Sequence, residues 1–264
     1  MAKFFAALCI AGFALGASAA ELRFDFSKTK LGETPPGFAS FSTGGDPAKW
    51  SVVEEKVTPL LAPIETNSLE SAAKREVLAV QSFDLGEKHS PVLIYTNEVL
   101  SDFVFTTRFK INGGIVEPSA GLIFRAQDQS NYYCVRASSQ GYLLWYKVVN
   151  GQSYEGQGIG VKMTMPEDQW RELRIECNGS RMRCVLDGKL VLPPPREGSP
   201  TNNLAINDTT FTRGKIGFWS RADTKCFFVD ANIQYTQRVP YIQVAINNMI
   251  KRHQPILGIK VYAR

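Results

Sequence analysis

Residues 102–111 constrain the fold of this chain more than any other stretch. Phe103, Phe105, Thr107, Phe109 and Ile111 share one parity, and Val104, Thr106, Arg108 and Lys110 share the other. A period of two sends successive side chains to opposite faces, so this is a strand with one face for a core. Shorter apolar-rich runs at 21–26, 50–53, 76–83, 92–95, 121–126, 132–137, 142–149, 215–220 and 226–233 read as further strands. Turn formers such as Asp128, Asn131, Ser138, Ser139 and Gly141 separate them. Residues 30–45, rich in Gly, Pro and Thr, read as a loop, and 58–74 as irregular. About a dozen short strands with few helices predict an all-β fold, a two-sheet antiparallel sandwich.

Both ends depart from this pattern. Lys3 precedes an apolar run over residues 4–16, and Ala17-Ser18-Ala19 puts small residues where a signal peptidase reads. The run is too short to span a bilayer, and the three-part pattern is that of a secretory signal peptide over residues 1–19. The expected location is secreted or periplasmic, with no membrane span after cleavage. At the other end Ile242, Ala245, Ile246, Met249 and Ile250 recur at three- and four-residue spacings. That predicts a helix opened by Pro240 and stopped by Pro255. Residues 256–262 read as one more strand. The sandwich is therefore expected over 20–236, with a helix-strand extension over 237–264 that is too small to hold a core alone. An exposed apolar face on that helix would mark a protein-partner site.

Charge and cysteines narrow the function. A formal charge of +5, spread along the chain, argues against nucleic acid. His89 and His253 are the two histidines, which excludes a multi-histidine metal site. In an exported chain Cys134, Cys177, Cys184 and Cys226 allow two disulfides. Asn178-Gly179 predicts a two-residue hairpin turn that sets Cys177 opposite Ser180 and Cys184 opposite Leu173. Those two sulfurs would then lie about 13 Å apart along the ladder, beyond the reach of a disulfide. Buried free thiols, or a bond between Cys134 and Cys226, are expected instead.

Alternation also sorts the central strands into two faces. Leu122, Phe124, Tyr133, Val135, Leu144, Tyr146 and Val148 are assigned inward with the phenylalanines of 102–111. The outward set is then Arg108, Arg125, Tyr132, Arg136, Trp145 and Lys147. On neighbouring strands these six would form one basic and aromatic face. Rings stack on the apolar faces of pyranoses, and guanidinium forks bind hydroxyls or carboxylates. Carbohydrate is the ligand this implies, with an acidic polysaccharide fitting best. Structural ion pairs are the competing reading, since one bulge flips every assignment beyond it. Cys134 on the outward face is a sign of that hazard. Asp128 and Asn131 offer oxygens to a calcium ion, with Asp208, Asp223 and Asp230 as alternatives. Two strong ligands fall short of the six or more a hard cation needs, so an ordinary turn is expected at 128–131 and no other cofactor is implied.

Three runs in order carry a family likeness: AGLIFRAQDQSNYYCVRASSQGYLLWYKVVNGQ (120–152), QWRELRIECNGSRMRCVLDGKLV (169–191) and DTTFTRGKIGFWSRADTKCFFVDANI (208–233). They resemble the concanavalin A-like lectin/glucanase superfamily, and most closely its laminin G-like bacterial branch, which is similar to the 3-keto-disaccharide hydrolase domain family. The resemblance implies a concanavalin A-like jelly roll. It leaves function open, because such folds host lectins, hydrolases, lyases and adhesion modules. The superfamily's retaining glucanases carry an E-x-D-x-x-E strand whose outer glutamates do the chemistry, and no such motif occurs here. Glu172 and Glu176 share a face with Arg174, which suits an ion-paired surface. An exported carbohydrate-binding module without catalysis of its own is the expected function. A glycoside hydrolase or lyase acting on (3-keto-)glycosides, and an adhesion or assembly protein, are the alternatives.

Overall fold

The computed structural model describes residues 16–42, 48–59, 72–82, 90–191 and 205–239. Two compact units are distinct, Glu21–Tyr235 and the chain ends Met1–Ala20 with Thr236–Arg264. The sandwich is the first. Its strands in chain order begin with β1 (Gly16–Phe24), a 3-10 turn at Phe26–Lys28, β2 (Phe38–Ser42), β3 (Trp50–Val57) and β4 (Ala73–Gln81). Then come β5 (Pro91–Leu100), β6 (Phe103–Ile111), β7 (Ser119–Asp128), β8 (Asn131–Ser138), β9 (Tyr142–Val149) and β10 (Gln152–Lys162). The series ends with β11 (Arg171–Asn178), β12 (Arg181–Leu186), β13 (Lys189–Val191), β14 (Ile206–Asn207), β15 (Gly214–Ser220) and β16 (Lys225–Val239).

One sheet has nine strands in the order β13-β12-β11-β6-β16-β4-β3, with β1 beside β16 and β14 beside β12. The other has seven, in the order β10-β9-β8-β7-β15-β5-β2. The ladders are antiparallel, as a jelly roll requires. Trp50, Leu78, Leu93, Phe105, Phe109, Leu122, Phe124, Phe218 and Phe228 fill the space between the sheets. Phe218 is central: its ring lies 4.9 Å from Phe228 and 5.9 Å edge-on from Phe105. Each such side chain contributes about 1.5–3 kcal/mol by leaving water.

The outer faces also hold apolar clusters. Val92, Ile94, Ile123, Tyr132, Cys134, Tyr146, Val148 and Trp219 form one on the seven-stranded sheet. Val57, Val77, Ala79, Phe227 and Val229 form another on the nine-stranded sheet. That second use of apolar residues explains the main departure from the sequence reading. In β9 it is Leu143 and Trp145 that enter the core, while Tyr146 and Val148 join the outer cluster. Both parities are apolar there, so alternation carries no phase.

Two local readings are also corrected. The 30–45 loop contains β2, which pairs with β5. The hairpin between β11 and β12 turns at Gly179-Ser180, because Asn178 pairs with Arg181. Gly179 has φ +55, the first-position glycine of a type II′ turn, and its N–H donates to Asp102 Oδ1 at 2.7 Å. Cys177 therefore faces Met182 and Cys184 faces Ile175. Cys134, Cys177, Cys184 and Cys226 are all buried and free, so no Cys134–Cys226 bond forms. No helix among the described residues is long and apolar enough to cross a membrane. The leader residues 1–15, the helix read from Pro240 and the strand at 256–262 lie outside the described residues.

Candidate functional site

The six side chains expected on one face occupy four different places. Arg108 lies on the outer face of the nine-stranded sheet, 5.6 Å over the Trp170 ring, and donates to Thr58 Oγ1 at 3.2 Å. Tyr132 and Arg136 lie on the outer face of the seven-stranded sheet. Arg136 donates to Glu117 Oε1 at 2.9 Å and Ser119 Oγ at 3.0 Å, and its guanidinium sits 5.7 Å over Trp219. Tyr132 is buried, and desolvation pushes its phenol far above the usual range. Trp145 faces the core, stacked 5.5 Å from Tyr133. Arg125 is 0% exposed, because a bulge after Phe124 turns it away from the sheet face. Its guanidinium donates to the carbonyls of Ser101, Phe211 and Gly179.

Lys147 follows Trp145 to the inner side and donates to Asp208 Oδ2 at 2.8 Å. Asp208 Oδ1 accepts from Tyr133 Oη at 2.6 Å and from the Thr210 N–H at 2.8 Å. Partial burial opposes ionisation of Asp208, but the bonds from Lys147, Thr210 and Tyr133 outweigh it and hold the carboxyl at about 2. Burial, with Asp208 second, pushes the Tyr133 phenol up to about 12. This cluster clamps the segment before β15 onto the rim of the core.

The metal candidates are engaged elsewhere. At the β7–β8 turn the Asn131 amide donates to both Asp128 oxygens at 3.0 Å, and Asn131 Oδ1 accepts the Asn150 N–H at 2.9 Å. Asp223 Oδ2 accepts the N–H groups of Ile115 and Val116. No group of three His, Cys, Asp or Glu side chains that could hold a metal occurs among the described residues. Glu176 pairs with Arg174 at 3.0 Å and lies 3.8 Å from Arg183, an ion-paired strand face as expected.

A cleft opens where β16 changes partner. Along one edge β16 pairs with β4 only through Lys225–Phe228, and β1 lies beside it further on. The ladder to β6 on the other edge slips between Val229 and Asn232. Asp230 sits in that bulge with φ +55, a left-handed conformation that re-aims its side chain. The resulting cleft has a volume of about 510 Å³. Small-ligand sites usually run to about 300–1,000 Å³, so it is large enough for one. Its walls are Arg23 and Asp25 from the β1 end, Arg75 and Glu76 from β4, and Asp230 and Asn232 from the bulge. Phe24, Phe26, Val229 and Ala231 complete the lining, and of these Phe24 is partly exposed while the other three are buried.

The polar walls are tied in pairs. Asp230 accepts from Arg75 at 2.6 and 3.2 Å and from Arg108 Nη1 at 3.5 Å. Those bonds raise the Arg75 pKa despite desolvation. Burial lowers that of Arg108, with Asp230 working against it. Glu21 accepts from Arg23 at 2.9 Å and from the Asn232 amide, and both bonds lower its pKa. The Ser27 hydroxyl and N–H do the same for Asp25. Planar guanidinium, amide and carboxylate groups with the Phe24 ring among them can bind a polyol edge-on and pack its C–H face.

Of the residues that line the cleft, the sequence singles out Asp230 alone, as a metal alternative. The usable signal was a charged residue inside the apolar run at 226–233. Arg23, Arg75 and Asn232 gave none.

The profile of the 3-keto-alpha-glucoside-1,2-lyase-like domain matches residues 37–234. The chain belongs to that family. In this lyase-like domain Arg75, Glu76, Asp230 and Asn232 fall inside the match, and the Arg23–Ser27 wall lies outside it. The fold is the concanavalin A-like jelly roll that the sequence runs imply. No curated protein matches the chain. Among solved structures it is similar to the carbohydrate binding module CBM66 from Bacillus subtilis, at 18% identity and TM-score 0.48, over 69% of this chain and 94% of that one. A putative glycosyl hydrolase from Parabacteroides distasonis matches at 16% identity and TM-score 0.40, over 60% of this chain and 86% of that one. The cellulose induced protein Cip1 matches at 12% identity and TM-score 0.43, over 72% and 93%. None of the three likenesses carries an argument about what this chain binds.

Proposed function

We propose that this domain is an exported glycan-binding module that holds a sugar in the cleft between β4, β1 and the β16 bulge. The observation that carries the reading is the cleft itself, which sets planar hydrogen-bonding groups and the partly exposed Phe24 ring around a volume of about 510 Å³. The family's name adds a glucoside as the class of sugar to try first. Export rests on the leader pattern at residues 1–19.

A second reading, lyase or hydrolase action on the bound glycoside, has one observation in its favour. Glu76 lines the cleft and makes no hydrogen bond or ion pair among the described residues, which leaves a carboxylate available as a base. Both readings meet in one experiment. The purified protein is offered a panel of neutral and acidic glycosides and polysaccharides, 3-keto glucosides included, and retention and new products are followed together. Retention without products is the expected result, and the Arg75→Ala variant should lose about tenfold or more in affinity while remaining folded. Product formation establishes the second reading. Undiminished retention by folded Arg75→Ala removes the cleft as the site.

A further inference from the structure

We infer that the cleft selects a neutral sugar, gripping a vicinal diol through Glu76, and rejects uronates. The inference rests on the glycan-binding reading of the same cleft. It reverses the preference for acidic polysaccharide that the arginines imply in the sequence.

The arginines are already matched. Arg75 spends two nitrogens on Asp230, and Arg108 adds a third contact to the same carboxylate. Arg23 donates to Glu21. No lining guanidinium is left facing the cleft without a carboxylate of the protein's own. Asp25 likewise has Lys28 at 3.5 Å, so Glu76 is the charged lining residue that has no ion-pair partner among the described residues. Glu54, the cross-strand neighbour of Glu76, adds another negative charge behind it, with Lys74 3.9 Å away from that glutamate.

Glu76 has the geometry of a diol acceptor. Val77 and Ala79 of β4 belong to the outer cluster, and Leu78 and Val80 to the core. Glu76 shares the parity of Leu78 and Val80, opposite to that of Arg75, and it lines the cleft. It is half-buried and without a donor among the described residues. A carboxylate accepts through two oxygens, which suits two adjacent sugar hydroxyls. A uronate would instead set a second carboxylate against it, and like charges brought together in a partly desolvated site repel.

The test pairs p-nitrophenyl glucoside with p-nitrophenyl glucuronide of the same anomeric form, titrated calorimetrically into the whole protein. The glucoside should bind about tenfold or more tightly than the glucuronide at low salt. Raising ionic strength should narrow that ratio, because the repulsion is screened. Glu76→Gln should narrow it further by admitting the glucuronide, and Glu76→Ala should weaken the glucoside. A glucuronide that binds as well as the glucoside overturns the inference, as does an unchanged ratio in folded Glu76→Gln. Binding of both probes with equal loss in Arg75→Ala would leave the cleft as the site and remove only its selectivity. Binding of neither probe, with no retention in the wider panel, would remove both.

Discussion

Asp208 gives a prediction whose size follows from the structure. Its side chain is 9% exposed, and Lys147, Tyr133 and the Thr210 N–H all donate to it. The folded state holds the carboxyl at about 2, against an ordinary value of 3.8. That difference corresponds to about 2 kcal/mol of stability. The folded pKa is the lower one, so the contribution is complete above the unfolded value. It is lost as pH falls from about 4 through about 2. Asp208→Asn keeps the shape and removes the titration. Urea unfolding followed by tryptophan fluorescence, at pH 7, 4, 3 and 2, should show the variant about 2 kcal/mol less stable at pH 7. The gap between the two proteins should close as the acid limit is approached. A gap that stays constant with pH would refute the account, because it would mean the loss comes from packing and not from the charge.

Two further outcomes follow from buried groups. Arg125→Ala should cost about 3–5 kcal/mol of stability, because it strands the carbonyls of Ser101, Phe211 and Gly179 without their donor. A loss under about 1 kcal/mol would contradict that network. Burial pushes the thiols of Cys134, Cys177 and Cys226 up to about 12, and that of Cys184 higher still. With Cys9 replaced by Ser, Ellman's reagent at pH 8 should therefore label nothing until denaturant is added.

Particular strands show what the sequence could and could not convey. In β6 the two parities differ in polarity, and Phe103, Phe105, Phe109 and Ile111 enter the core as alternation requires. In β8 Tyr133 and Val135 enter it, while Tyr132 and Cys134 lie outside, again as read. Cys134 on the outer face is no misassignment, because that face has an apolar cluster of its own. In β9 Leu143 to Val148 are apolar on both parities but for Lys147, so the phase had no signal and Trp145 was placed outside. Arg125 was lost to a bulge, which is a property of the ladder and not of local composition.

The cleft was out of reach for a different reason. Arg75 and Asp230 meet across 155 positions, at a fork where β16 exchanges β4 for β1. Nothing in either segment names the other as its partner. The family likeness was legible because it lies in continuous runs along neighbouring strands. The site was not, because it is made by the topology that joins them.

Hydrogen–deuterium exchange with and without a saturating glucoside tests the central claim most directly. The account predicts slowed exchange at residues 23–27, 75–76 and 229–232, and little change elsewhere. Protection centred instead on residues 132–136 and 219–221, or none at all under a ligand shown to bind, would contradict it.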